Sequence, residues 1–192
     1  MAHLRLQAAS SLLESSENKW LKALLEYFKG LLAFYEGDAK KAAVLLEETT
    51  ALAREGQYKP DLARSLVTLG SARLALGEVE LAARLVLQGL ALYQEVGNKQ
   101  GVAIALEQLA AVSAVQRDGL QAVTLFCSAD VLRETISAPL PPVDRATYDF
   151  AIAASRAQLG EAAFAAAWEH ASARPYQEVV EEILKSNKYT VT

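Results

Sequence analysis

The sequence predicts an all-α fold, an α-α superhelix in which antiparallel helix hairpins stack as a solenoid and a C-terminal helical cap closes the row. Three observations predict it. Gly37-Asp38, Gly77-Glu78 and Arg117-Asp118 stand 40 positions apart. The small residue one turn into the following helix keeps the same interval at Ala42, Ala82 and Ala122, as do the apolar Leu45, Leu85 and Leu125; Gly30, Gly70 and Ala110 repeat in the preceding helix. Within the central copy, Ala82, Leu85, Val86, Gly89, Tyr93 and Val96 lie on one helical face, and Leu62, Leu66 and Leu69 do so on its partner. Unrelated features that share one period mark a repeat architecture. A single hairpin cannot bury both of its faces, and stacked neighbours can. The small residues fall where two helices must approach closely, with Gly70 expected to face Ala82.

In chain order, residues 2–15 fit the second helix of a repeat whose first helix is missing, since Ala2, Leu6 and Ala9 stand 40 positions before Ala42, Leu46 and Thr49. That opening presents Leu4, Leu6 and Leu13 where a solenoid end normally carries polar residues. Two expectations follow: the chain is a fragment of a longer protein, or its N-terminal edge pairs with a second copy as a homodimer. Residues 15–18 read as a turn ending in an N-cap. Full repeats are expected at about 19–55, 59–96 and 99–135. Gly56 and Gly97 are expected to supply left-handed helix stops, and Pro60 fits a first helical turn. Pro139, Pro141 and Pro142 then break the period. Residues 143–185 are expected to form the cap: a helix near 144–159 ended by Gly160, a short one near 162–171, and a last one after Pro175. Residues 186–192 read as frayed.

This pattern resembles the tetratricopeptide repeat family. The middle copy supplies Leu66, Leu69-Gly70, Ala82, Val86 and Gly89. The third supplies Leu109-Ala110, Ala122, Phe126 and Ala129, and the first Gly30, Ala42, Leu46 and Thr49, with Lys29 where the family has leucine. The usual repeat is about 34 residues. The surplus here is expected between hairpins, at 56–60 and 97–101, and the usual proline closing the second helix is absent. The runs LYQEVGNKQGVAIALEQLA and RETISAPLPPVDRATYDFAIAASRAQLGEAAFAAAWEHA further resemble the repeat regions of bacterial signal-transducing ATPases and LuxR-type transcriptional regulators. That resemblance implies a scaffold that senses an inducer or partner and restrains a neighbouring NTPase or DNA-binding region.

Composition narrows the function classes. A net charge of −4 with both signs interspersed argues against direct nucleic-acid binding, which needs a basic stripe. The single cysteine, Cys127, allows no internal disulfide and suggests a reducing, cytoplasmic setting. No signal peptide is visible, and no apolar run approaches the roughly 20 residues of a membrane span. Gly30 to Gly37 and Gly97 to Gly101 lack the Gly-Lys-Ser/Thr ending of a phosphate loop. His3 and His170 have no ligand-spaced partner, so neither a metal nor another cofactor is expected. Cys127 follows Phe126 and reads as a packed small residue rather than a nucleophile. Adjacent helical residues diverge by about 100°, so Glu47-Glu48 and Glu181-Glu182 do not converge for acid–base work. Trp20 and Trp168 read first as gap fillers and second as stacking platforms. No enzyme is expected.

The surface assigned to binding is the one lined by the first helix of each hairpin. The resemblance places Tyr27, Leu31 and Phe34 there in the first copy, beside Leu24 and Phe28. It places Arg64, Val67, Thr68 and Ser71 in the second, beside Leu74, and Glu107 and Gln108 in the third, between Ile104 and Ala111. The lysine and asparagine that clamp a terminal carboxylate in the family's best-known groove are absent, so that specificity is not implied. A wall grading from aromatic to polar suits a protein partner, an amphipathic helix or extended segment with a hydrophobic end. That partner could be another domain of the same parent protein. The same aromatics would equally serve to pack one hairpin on the next.

Overall fold

The computed structural model describes residues 18–186 together with Leu6, Ala8, Ser10 and Ser11. Among these the fold is all-α, with helices packed against their neighbours in sequence order. The helices are α1 (Lys19–Tyr35), α2 (Ala39–Glu55), α3 (Lys59–Ala75), α4 (Val79–Glu95), α5 (Lys99–Val115), α6 (Gly119–Thr135), α7 (Pro142–Leu159), α8 (Glu161–Ser172) and α9 (Tyr176–Lys185). None among the described residues is long and apolar enough to cross a membrane. Of the N-terminal half repeat, Ala2 and Ala9 lie outside the described residues, as do Ser15 to Glu17 and residues 187–192; Leu6 is helical and half-buried.

The joints explain the period. Each of α1 to α6 has 17 residues and is followed by the same short turn, so the true interval is 20. The middle residue of each turn is left-handed: φ is 83° at Gly37, 55° at Gln57, 80° at Gly77, 68° at Gly97, 61° at Arg117 and 52° at Ser137. The next N–H reaches back to a carbonyl five residues earlier, as from Asp38 to Ala33 and from Glu78 to Arg73, each 2.9 Å. That is a Schellman closure, and it satisfies helix-end carbonyls that would otherwise lack partners. At three joints the same closing residue then caps the next helix. The carboxylates of Asp38 and Asp118 and the amide of Asn98 accept from backbone N–H groups of Lys41, Gln121 and Gly101 at 2.9–3.1 Å. Asn18 caps α1 in the same way, at 3.2 Å from the Leu21 N–H.

Two sequence expectations are corrected by these joints. The residues beyond the usual repeat length do not sit between hairpins, because turns within and between hairpins are equally short; the helices are longer. Gly56 does not adopt the left-handed conformation, which falls to Gln57. Gly56 is right-handed helical, and its lack of a side chain serves contact instead. A Cβ there would stand 2.3 Å from the Tyr58 ring.

The chain divides into two compact units, Met1–Leu92 and Tyr93–Thr192. In the first, close approach depends on glycine as the repeat implied. A Cβ on Gly70 would meet Val86 Cγ2 at 2.5 Å and the Ala82 carbonyl at 3.1 Å; one on Gly89 would meet Val67 Cγ2 at 2.5 Å. Each helix of the pair thus receives the other's valine. In the α1–α2 hairpin the contact is one-sided, with Gly30 receiving Leu46. Tyr27, Ala33, Ala42, Leu46 and Leu69 form a buried cluster across α1, α2 and α3. The buried hydroxyls of Thr50 and Ser65, 3.2 Å apart, join α2 to α3.

In the second unit α6 is central. It packs on α5, and α7, α8 and α9 all lie against it. Phe126, Leu125, Leu132 and Val123 are fully buried along it. The prolines displace the next helix start from 139 to Pro142, which occupies the first helical position without losing a needed N–H. Gly160, at φ 79° and ψ 156°, ends α7 and opens α8 in one step, a conformation essentially reserved for glycine. Gln158 donates to the Ala114 carbonyl at 3.0 Å, pinning α7 to the end of α5.

Candidate interaction surface

Helical spacing sets the character of α1. Trp20, Leu24, Tyr27, Phe28, Leu31, Phe34 and Tyr35 recur at intervals of three and four and share one side of the helix. Trp20, Phe28 and Tyr35 remain 39%, 42% and 45% exposed. Among the described residues, Leu6 and Ser10 lie beside Glu26, Lys29 and Leu32, on the opposite side of the helix from this stripe.

Helix α3 runs beside the stripe and completes a wall. The Arg64 guanidinium lies 4.3 Å from the Tyr27 ring centre and 5.9 Å from that of Phe28. Its Nη2 donates to Asp61 Oδ1 at 2.5 Å, while the Trp20 indole N–H donates to the other oxygen of that carboxylate at 2.9 Å. Tyr27 and Thr68 hydroxyls meet at 3.3 Å. Cation–π contact and a shared carboxylate therefore hold an aromatic patch, built round one ion pair, in fixed geometry. Trp20 does bridge α1 to α3, yet it keeps a free face.

The nine assigned residues separate by depth. Leu31 and Phe34 are half-buried, packed on the core cluster beneath them. Arg64, Thr68 and Ser71 are half-buried on α3. Tyr27 is buried, with its hydroxyl against that of Thr68. Val67, 2% exposed, fills the notch of Gly89 and offers no surface. In the second unit Gln108 is half-buried, while Glu107 is buried and paired.

Glu107 accepts from Arg133 on α6 through both oxygens, at 2.5 and 2.9 Å, and Arg133 Nη1 donates to the Ala138 carbonyl at 3.1 Å. Burial pushes the Glu107 carboxyl above the usual carboxylate range against the pull of Arg133, and the bond to Glu107 holds Arg133 charged. The first unit repeats this arrangement. Arg73 bonds Glu47 on α2 and, at 2.9–3.0 Å, both oxygens of Glu78 beyond its own turn. Both pairs span 26 positions, and they stand 60 apart, an odd number of half repeats. The 20-residue helix-plus-turn is therefore the equivalent element. Sequence reading missed this because a glutamate on a helix looks like a solvated one until its partner helix is placed.

Comparison with profiles of protein families, with curated proteins and with solved structures gives no match.

Proposed function

We propose that the chain is a non-enzymatic protein-binding scaffold that grips an amphipathic peptide segment on the wall shared by α1 and α3. The observation that carries this is the set of three aromatics on one side of α1, Trp20, Phe28 and Tyr35, that stay exposed among the described residues, backed by Arg64. Aromatic and arginine side chains held rigidly at a surface are the groups that most often dominate a protein interface. Three exposed aromatics on one helix side exceed the scattered apolar residues of an ordinary surface. The apolar end of a partner would lie over Phe28 and Tyr35, its polar side toward Arg64 and Thr68. The tetratricopeptide resemblance supports the same reading. It also motivates a role in a larger bacterial regulator of signal transduction or transcription, with the partner a segment of the same parent protein.

A peptide-display selection against the full chain tests the binding reading. Enriched sequences should be amphipathic, and their affinity should fall tenfold or more, about 1.4 kcal/mol, for Phe28→Ala and for Arg64→Ala, with thermal midpoints close to the parent's. Enriched peptides that bind both variants like the parent would defeat the assignment. So would a large loss of stability in both, which would make the stripe core.

A further inference from the structure

The second unit holds a cleft unrelated to the α1 stripe. Helices α6, α7 and α8 border an open cleft of about 430 Å³ whose lining includes Asp130, Arg145, Tyr148, Arg156, Phe164 and Trp168. That volume lies in the range of small-molecule sites, about 300–1,000 Å³. One wall is aromatic. Phe164 and Trp168 stack with centroids 5.8 Å apart and planes 24° from parallel. Arg156 covers the Phe164 ring at 4.5 Å and pairs with Glu161 at 3.4 Å. Tyr148 meets Phe126 edge to face at 5.1 Å.

The other walls carry unmatched charge. Asp130 on α6 and Arg145 on α7 sense each other electrostatically. Even so, among the described residues neither makes a hydrogen bond or an ion pair within 4.0 Å, and the same holds for hydrogen bonds of the Tyr148 hydroxyl. Burial pushes the Asp130 carboxyl and the Tyr148 phenol up, so both stand partly withdrawn from water. Polar groups desolvated without partners raise the free energy of the empty cleft, and a ligand that supplies the partners recovers it. A carboxylate and a guanidinium separated by a gap, beside a stacking wall, match a molecule carrying both charges and a ring.

We propose that this cleft binds a zwitterionic aromatic molecule of amino-acid size, its ammonium on Asp130, its carboxylate on Arg145 and its ring against Trp168. The bidentate geometry of arginine favours the carboxylate, and an indole face favours the ring.

Calorimetry on the full chain with L-phenylalanine, L-tyrosine and L-tryptophan tests it, with phenethylamine and hydrocinnamate as analogues lacking one charge each. Binding of at least one amino acid is expected, with tenfold or greater loss for either analogue. Trp20→Phe leaves Trp168 as the single tryptophan, and its emission should change saturably with L-phenylalanine. Arg145 is exposed, so Arg145→Gln should keep the far-ultraviolet dichroism of the parent while the affinities for phenylalanine and phenethylamine converge. No amino acid binding at millimolar concentration, analogues binding as well as the zwitterion, or an unchanged preference in Arg145→Gln would each overturn the proposal. Peptide binding to the first unit is read separately, so either reading can fail alone.

Discussion

At the residue scale, three positions show how local geometry fixes energetic consequences. The left-handed turn position tolerates glycine at no steric cost and other residues at about 1–2 kcal/mol. Arg117, at φ 61°, stands where Gly37 and Gly77 stand in earlier turns. Arg117→Gly should stabilise the chain by about 1 kcal/mol in urea titration, and Gly77→Ala should destabilise it by a similar amount. The Glu107–Arg133 pair is enclosed on both sides. Glu107→Ala would leave a buried guanidinium without its counter-charge, a loss of about 3–5 kcal/mol. Glu107→Leu combined with Arg133→Met should restore much of it, because neither charge then remains. Burial pushes the Cys127 thiol from 9.0 up to about 11. In that interval the unfolded chain releases the proton and the native chain keeps it, so the contribution of Cys127 to stability is fully present below pH 9.0 and is lost as pH rises toward 11. Cys127→Ala should flatten this slope. Native Cys127 should alkylate slowly at neutral pH, as a buried, neutral thiol does.

At the element scale, the notch-and-valine contact decides how tightly a hairpin closes. Gly70→Ala places a methyl 2.5 Å from Val86 and 3.1 Å from the backbone of Ala82. The valine can rotate but the carbonyl cannot, so a loss of about 1–3 kcal/mol is expected in thermal or chemical denaturation. These elements were legible in the sequence because their requirements are stereochemical. Gly70 and Ala82 mark the crossing, and Asp38, Asn98 and Asp118 mark helix starts. The turn at 56–58 departs from that logic because its glycine answers the Tyr58 ring while the unremarkable Gln57 takes the strained conformation. The candidate surface was legible only in part. Its aromatic positions follow from the face of α1, but the depth of Val67 and Glu107 depends on helices 22 and 26 residues further on. Of the cleft in the cap only Trp168 stands out in the sequence, since the walls come from three helices with no shared period.

At the scale of the whole molecule, nearest-neighbour packing makes stability a sum of local contributions rather than one indivisible quantity. Gly70→Ala should therefore raise amide exchange in α3 and α4 far more than in α6, where the cap helices converge. Uniform deprotection of all helices would show instead that the chain unfolds as a single cooperative body.

The identity of every joint carries one more consequence. Within the first unit the scaffold can be lengthened or shortened by single helices, because its connections at 36–38, 56–58 and 76–78 are the same short turn. Excising residues 59–78 would splice Tyr58 to Val79 through an equivalent junction and preserve up–down alternation. What would change is the wall itself: Val79–Glu95 would follow α2 directly, and the face of α1 would lose Asp61, Arg64 and Thr68 as its neighbours.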